Sequence, residues 1–483
     1  MASISESGFE RKVWSPLTVC ALTLVAAATL TADPQVAWSE TAPSSWHEAP
    51  THAISLRDAL TYAQAHQPSL RAALDRVNVA RADAQVPRAA WLPRAGGVAE
   101  IFGGTTNNTT ASYVNVPDVA LPRIGATRAT DTGSWSPSPS TLAAVSVDQE
   151  LFDFGRIAAQ SAAADSVVKT VSQQAELERL AIALMVKESY FAVQGAKAVL
   201  RAAQDGYERT RIHRDWAEAG VKSGLFAPIE RTRAEADLAR FDVNRMRAEG
   251  GVASTQAVLA AAVGSRERML DVEDAVIAVP PLPPINQAFA AAAAHDPAVL
   301  AARARLESER AVTRAIGAET RPDLLLVGGF STRAGGATPS SGGSEARFDG
   351  WLPDVPNWDV GVLLHWPIYD GVVSARQRAS SARERALQSE LDSVLEQEVS
   401  AVESAYVDAQ VARAALDALA RSVEAARANY AQAEARFKAG LGTALELADA
   451  EYLRTDAEIQ LAGGRFALAR ARAVLAKLLA EES

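Results

Sequence analysis

Apolar residues recur at spacings of three and four along one very long stretch of the chain, residues 372–439. This stretch contains neither Gly nor Pro and is dominated by Ala, Glu, Gln, Arg and Leu, which are good helix formers. At about 1.5 Å per residue, the pattern predicts a helix roughly 100 Å long. Because one stripe of this rod is apolar, the helix needs partners of similar length to bury it.

A strict alternation of apolar and polar positions predicts two strands. In residues 358–368 every even position is apolar, from Trp358 to Ile368, while residues 142–152 place Val145 and Val147 on one face with Asp148 on the other. About eleven residues is the length that a tilted membrane strand needs. Less regular strands are predicted at 97–102 and 324–330, with loops rich in Gly, Ser and Pro at 103–140 and 331–357.

Two interpretations fit this alternation. The four strands could form two hairpins packed on a soluble core, or a sheet that faces lipid. Tryptophans at both ends of the 358–368 strand and the lack of a separate helix to cover its apolar face favour the membrane. Four strands are too few for a closed barrel, and hydrocarbon does not tolerate open edges, so we expect the chain to oligomerise.

The chain repeats itself. Pro68 aligns with Pro297 and Pro93 with Pro322 at one constant offset, and the match resumes further on at a slightly different offset. We therefore divide the chain into residues 40–279, a Pro-rich linker at 280–284, and residues 285–483. Each half is predicted to hold a helix (56–91 or 285–320), two strands, a long helix and a returning helix (228–263 or 443–479). Further pairs at the second offset are Tyr190 with Tyr406, Gly224 with Gly440, and Glu235 with Glu451.

The N-terminus resembles a secretory signal peptide. Arg11 and Lys12 precede an apolar run at 17–30, and cleavage after Ser39 is preferred to cleavage after Ala32. The signal peptide is therefore assigned to residues 1–39. The only cysteine, Cys20, lies inside the apolar run rather than after it, which disfavours lipidation and leaves no cysteine for disulfides or metal sites in the mature chain.

Charge and motifs exclude several function classes. The net charge is −10 and no basic patch is evident, which argues against a nucleic-acid partner. No metal-ligand spacing, nucleophile elbow or phosphate-binding loop occurs, so the sequence predicts neither an enzyme nor a metal or cofactor site. His66 and His295 occupy equivalent places just before Pro68 and Pro297, where a structural role at a helix break explains them.

Together these features resemble the TolC-type outer-membrane efflux proteins. The resemblance covers residues 54–479 and rests on the tandem repeat, the strand ends at 151–155 and 368–371, and two Gly-containing helix tips. It implies a mainly α chain with a membrane β-barrel, in which a homotrimer builds a twelve-stranded barrel and a periplasmic α-helical tunnel. It also implies an outer membrane of a Gram-negative-type cell as location, with lipid, a periplasmic adaptor protein and an inner-membrane transporter as partners.

The resemblance assigns roles to the two tips. The pairs Gly224-Leu225 and Gly440-Leu441 would contact the adaptor, with the first tip less secure because Ala227 replaces a usual Ser or Thr. Glu446 and Asp449 match the acidic residues that narrow the entrance in this family. Glu446 also fits a capping box with Thr443, and Asp449 also fits a solvated helix face, so both interpretations stay open for each.

The function that follows is a passive outer-membrane exit duct of a tripartite efflux or type I secretion system. A periplasmic coiled-coil adaptor or scaffold that does not conduct is the alternative. The scaffold predicts one long hairpin and a β module without repetition, whereas this chain shows two hairpins and a complete duplication.

Overall fold

A computed structural model describes residues 53–105, 137–267, 269–274, 281–335 and 355–479. The predicted signal peptide at 1–39 and most of the two predicted strand-connecting loops lie outside these residues. In the described part, the two halves of the chain follow the same order of elements: short helices, two strands, a long helix and a returning helix.

The first helical segment of each half is broken, so the prediction of one continuous helix at 56–91 and at 285–320 was wrong. The first half has α1 (Leu56–His66), α2 (Pro68–Asp83) and α3 (Gln85–Ala89). The second half has α6 (Ile285–His295) and α7 (Pro297–Ala318). Proline lacks an N–H and disfavours helical geometry in the preceding residue, and Gln67 and Asp296 accordingly have ψ of 119° and 124°.

The long helices match the sequence pattern closely. In the first half, α4 (Arg156–Lys222) has 67 residues and is followed by α5 (Pro228–Val263). In the second half, α8 (Gly371–Lys438) has 68 residues and is followed by α9 (Ala444–Leu478). The bounds of α5, α8 and α9 agree with the predicted helices at 228–263, 372–439 and 443–479 to within one residue, because turn residues mark their ends.

Burial is spread along the helices in small clusters, and the clusters repeat between the halves. Val186 of α4 and Leu259 of α5 are both 0% exposed, and so are Val402 of α8 and Leu475 of α9. Each second-half residue occupies the repeat position of its first-half counterpart. The duplicated sequence therefore builds the same helix-hairpin contact twice.

The strands form one antiparallel sheet in the order β1-β2-β3-β4, with β1 Arg94–Thr105, β2 Pro137–Phe152, β3 Asp323–Gly335 and β4 Val355–His365. A register shift interrupts the β2–β3 ladder between Glu150 and Phe152. The predicted strand at 358–368 ends early, at His365, because Pro367 has no N–H for the ladder. The edges of β1 and β4 pair with no other strand described in this chain.

Candidate functional site: the helix tips and the membrane sheet

The two halves end their long helices in the same turn. Gly224 and Gly440 have φ of +77° and +70°, the left-handed conformation that glycine adopts without strain. The N–H of Leu225 donates to the carbonyl of Gly220 at 2.8 Å, and the N–H of Leu441 donates to the carbonyl of Arg436 at 2.9 Å. These bonds satisfy carbonyls that the helix end would otherwise leave free, so each tip is a defined turn.

Each turn presents a leucine to solvent. Leu225 and Leu441 are 78% and 75% exposed at the end of their hairpins. A Cβ added to the glycine before each leucine would meet no heavy atom within 4 Å, so the outer side of both tips is open. Two exposed apolar side chains on rigid turns are suited to contact a partner, and these are the Gly-Leu pairs singled out by sequence.

Aromatic rings join the two tips. Phe226 of the first tip lies 5.7 Å from Phe437 of α8, measured between ring centroids. Phe226 also covers Gly220, where a Cβ would fall 2.1 Å from its ring, so only glycine fits at that position of α4. Sequence analysis missed this contact because neither phenylalanine belongs to the Gly-Leu motif.

Glu446 and Asp449 both lie on the exposed surface of the first turns of α9. The hydroxyl of Thr443 accepts the N–H of Glu446 at 3.2 Å, as the capping interpretation requires. The Glu446 carboxylate lies 3.9 Å from the guanidinium of Arg436 in α8. Within the described residues, Asp449 has no hydrogen-bond or ion-pair partner. Both side chains are thus exposed, Glu446 beside Arg436 and Asp449 without a described partner.

A buried ion pair lies just above these residues, and sequence analysis did not identify it. Glu451 of α9 is 2% exposed, and Arg209 of α4 donates to its two carboxylate oxygens at 2.8 and 3.0 Å. Thr455 donates a further hydrogen bond at 2.9 Å. Burial raises the pKa of Glu451, and the charge of Arg209 opposes that rise. The pair connects the first-half hairpin to the second.

The other end of the molecule is a sheet with one apolar face. Following the register, Val147, Gly328 and Val360 stand side by side, and so do Val145, Phe330 and Trp358. Four even positions of β4 are exposed on this face: Trp358 77%, Val360 70%, Val362 61% and Leu364 59%. A band of unpaired apolar side chains on a sheet is suited to lipid.

Aromatic side chains gather where the strands meet the helices. The helix-proximal ends of β1, β2 and β4 are flanked by exposed Trp91, Phe154 and Trp366. Rings at that level are typical of a membrane–water interface. In the described part of the chain, no helix is both long and apolar enough to cross a bilayer.

Charged groups lie on the opposite face of the sheet. Arg156 pairs with Glu150 at 2.9 Å and lies 3.8 Å from Asp323, which in turn lies 3.2 Å from His365. Arg94 pairs with Asp148 at 3.0 Å. The alternation read from the sequence thus places these charged groups opposite the apolar face, on a side that they share with Leu325 and Leu363. Among the described residues, no group of three or more His, Cys, Asp or Glu side chains could hold a metal ion.

The profile of the "Outer membrane efflux protein" family matches residues 59–265 and 289–481, which covers both halves of the chain. No curated protein matches the chain by sequence. Among solved structures, the outer-membrane channel OprN is 21% identical with a TM-score of 0.67, covering 90% of this chain and 94% of its own.

Two further channels have the same fold. The CmeC outer membrane channel of Campylobacter jejuni is 15% identical with a TM-score of 0.68, covering 90% of both chains. The open state of the MtrE outer membrane channel of Neisseria gonorrhoeae is 19% identical with a TM-score of 0.66, covering 88% of both chains.

Proposed function

Because the chain belongs to the outer membrane efflux protein family, we propose that it is the passive exit duct of a tripartite efflux or type I secretion system. The observation that carries this proposal is the combination of an exposed apolar sheet at one end with two open-ended helical hairpins at the other. A protein that only scaffolds in the periplasm has no use for a lipid-facing sheet.

The sheet requires further copies of the chain. Its edge strands, β1 and β4, would leave backbone N–H and C=O groups unpaired in hydrocarbon, where each unsatisfied group costs several kcal/mol. Pairing β1 of one copy with β4 of the next removes both edges. A homotrimer closes a twelve-stranded barrel in outer-membrane lipid and brings the long helices together as a periplasmic tunnel.

The tips are the proposed contact with a periplasmic adaptor protein. Gly224 and Leu225 in the first tip, and Gly440 and Leu441 in the second, supply an open turn with an exposed leucine. The two turns have equivalent geometry, which supports contact at both tips despite Ala227 in the first. An inner-membrane transporter would supply the energy for export, and we assign this chain no enzymatic step and no cofactor.

Glu446 and Asp449 are the proposed pore constriction. Three copies of each carboxylate at the tunnel entrance concentrate negative potential and favour cations. The exposure of both side chains and the absence of any described partner for Asp449 support this role. We further propose the division of the chain into a signal peptide (1–39), a first repeat (40–279), a linker (280–284) and a second repeat (285–483).

Single-channel conductance in planar bilayers tests the duct. Detergent-extracted wild type should conduct weakly with a cation preference, and Glu446→Ala with Asp449→Ala should enlarge the conductance and weaken that preference. The control, Asp417→Ala with Glu424→Ala, removes the same charge from exposed positions of α8, about 25–35 Å from the tip along the helix. Folded, assembled protein that never conducts contradicts the duct, whereas an equal change in both double variants contradicts the constriction.

A further inference from the structure

One side-chain bridge joins α4 directly to α8 above the tips. The Nε2 atom of His213 lies 2.9 Å from the hydroxyl of Tyr430, and these rings stack with centroids 6.0 Å apart and 12° between planes. Trp216 stacks on His213 with centroids 5.6 Å apart and 9° between planes. Lys438 lies 4.8 Å above the Trp216 ring. The long helices of the two halves are thereby held together about 15 Å from their turns.

The bridge borders a cavity of about 260 Å³ that is lined by α4, α5 and α9 and by Phe437 of α8. Ala217, Phe241 and Leu447 contribute apolar wall beside the imidazole. Burial lowers the pKa of His213, and the positive charges of Lys438 and Arg209 act in the same direction while Glu434 opposes them. Protonation of His213 is therefore unfavourable while it remains in contact with Tyr430.

Charged and titratable groups face His213 from each surrounding helix. Burial raises the pKa of the Tyr430 phenol to about 12, so Tyr430 keeps its proton across physiological pH. The remaining groups near the bridge or lining the cavity are Arg209 of α4, Glu434 and Lys438 of α8, Glu230, Arg233 and Asp237 of α5, and Glu451 and Arg454 of α9. Glu434 pairs with Lys438, Glu230 with Arg233 and Glu451 with Arg209, so none of these carboxylates is a dedicated counter-ion for His213.

We propose that His213 and Tyr430 form a proton-sensitive latch that links the tip-proximal ends of α4 and α8 at neutral pH and weakens when His213 is protonated. The inference rests on the proposed function, because it describes how the tip constriction would be regulated. Separation of the two hairpins exposes His213 to water, where it regains an ordinary pKa of about 6.5. Acidification then favours the separated state.

The direction follows from proton linkage. The separated state binds a proton on His213 more tightly than the latched state, because burial depresses the pKa only in the latched state. Above about pH 6.5 both states are neutral at His213 and pH has no effect through this residue. As the pH falls below that value, the ratio of separated to latched protein rises by up to about tenfold per pH unit for each latch, until the latched state also protonates.

The latch can be tested by distance measurement without relying on conduction. Spin labels at Lys222→Cys and Ala439→Cys, both exposed near the tips, report the distance between α4 and α8 when labelled chains are diluted with unlabelled ones. The distance distribution should shift to longer values between pH 7.5 and 5.5. His213→Gln should abolish the shift because Gln does not titrate, and Tyr430→Phe should produce the longer distances already at pH 7.5.

His66→Gln provides the matched control, since His66 bonds to the Tyr62 carbonyl far along the chain from the tips. It should keep the full response to pH. A wild-type distance that does not change with pH, or a shift of equal size in His213→Gln, overturns the latch. A pH-dependent distance in protein that never conducts upholds the latch and contradicts the duct, so the two failures are distinguishable.

Discussion

Arg209 of α4 places its Nε atom 2.8 Å from the carboxylate of Glu451 in α9, and the two side chains are only 17% and 2% exposed. The charge pair joins the hairpin of the first half to that of the second. Removing charges from water is unfavourable, and here the cost is offset by a bifurcated hydrogen bond from the Arg209 Nε–H to both carboxylate oxygens and by one hydrogen bond from Thr455. Because both side chains are buried, removing either one would leave the charge of the other without a partner.

Arg209→Met is expected to destabilise the fold strongly. The substitution keeps an unbranched side chain of similar length but leaves Glu451 buried without a counter-charge, which costs about 3–5 kcal/mol in comparable cases. Chemical denaturation monitored by circular dichroism measures the loss. As a control, Arg211→Met breaks an exposed pair with Glu208 and should change stability by no more than about 0.5–1 kcal/mol. Equal losses in the two variants would show that the buried pair has no special role.

The loss of folding stability caused by Arg209→Met should become smaller as the pH falls. Burial raises the folded-state pKa of Glu451, and loss of Arg209 raises it further. A carboxyl group with a raised folded pKa binds its proton more tightly when folded, so it stabilises below its unfolded pKa of about 4.3 and loses that contribution as the pH rises. Unfolding measured from pH 8 to pH 4.5 checks this. Adding Glu451→Gln should remove the extra pH dependence, and a deficit that stays constant with pH would contradict the explanation.

Gly440→Ala is expected to cost about 1 kcal/mol by straining the backbone. Nothing lies within 4 Å of a Cβ at this position, so the penalty comes from the φ of +70° and not from a clash. Gly463→Ala is the opposite case. Gly463 lies in the interior of α9 and a Cβ there also meets no atom within 4 Å, so the substitution should stabilise the helix by about 0.5–1 kcal/mol. Thermal melts of the two variants should therefore shift in opposite directions.

Val362→Lys should impair insertion into the membrane. Val362 is 61% exposed on the apolar face of β4, and a lysine facing lipid near the bilayer midplane costs about 2–4 kcal/mol. Asp359→Lys places the same residue on the polar face of the same strand and should be tolerated better. The fraction of heat-stable assembled protein in outer-membrane extracts distinguishes them. Equal assembly of both variants would argue against a lipid-facing sheet.

Leu441→Asp should abolish export in cells while leaving assembly intact. The side chain is 75% exposed, so its replacement removes little packing within the chain but places a charge on the proposed adaptor contact. Leu225→Asp tests the first tip in the same way. Leu453→Asp, at an exposed position three turns further along α9, is the control. Intracellular retention of an exported dye, measured with quantified outer-membrane protein, reports the effect.

The amino-acid sequence by itself determined the elements of this fold and their order. The residues at the ends of a helix determine its bounds. Thus α5 begins at Pro228, because proline is favoured at the first helical position, and ends at Val263, because Gly264 adopts a φ of +71°. The duplication predicted the same order of elements in both halves, and Val186 and Val402 are buried at equivalent positions. The prolines themselves indicate the breaks before Pro68 and Pro297, but the apolar pattern continues through both, so one helix was predicted across each break.

Only the tertiary structure decided which charged residues work together. Glu235 and Glu451 hold the same repeat position, yet the Glu235 side chain is 53% exposed beside Arg231 and Glu451 is buried against Arg209. The difference arises because α9 packs against both α8 and α4, whereas α5 packs mainly against α4. His213 and Tyr430 likewise lie far apart along the chain. Periodicity specifies the face of a helix on which a residue lies, but the neighbouring helix determines its partner.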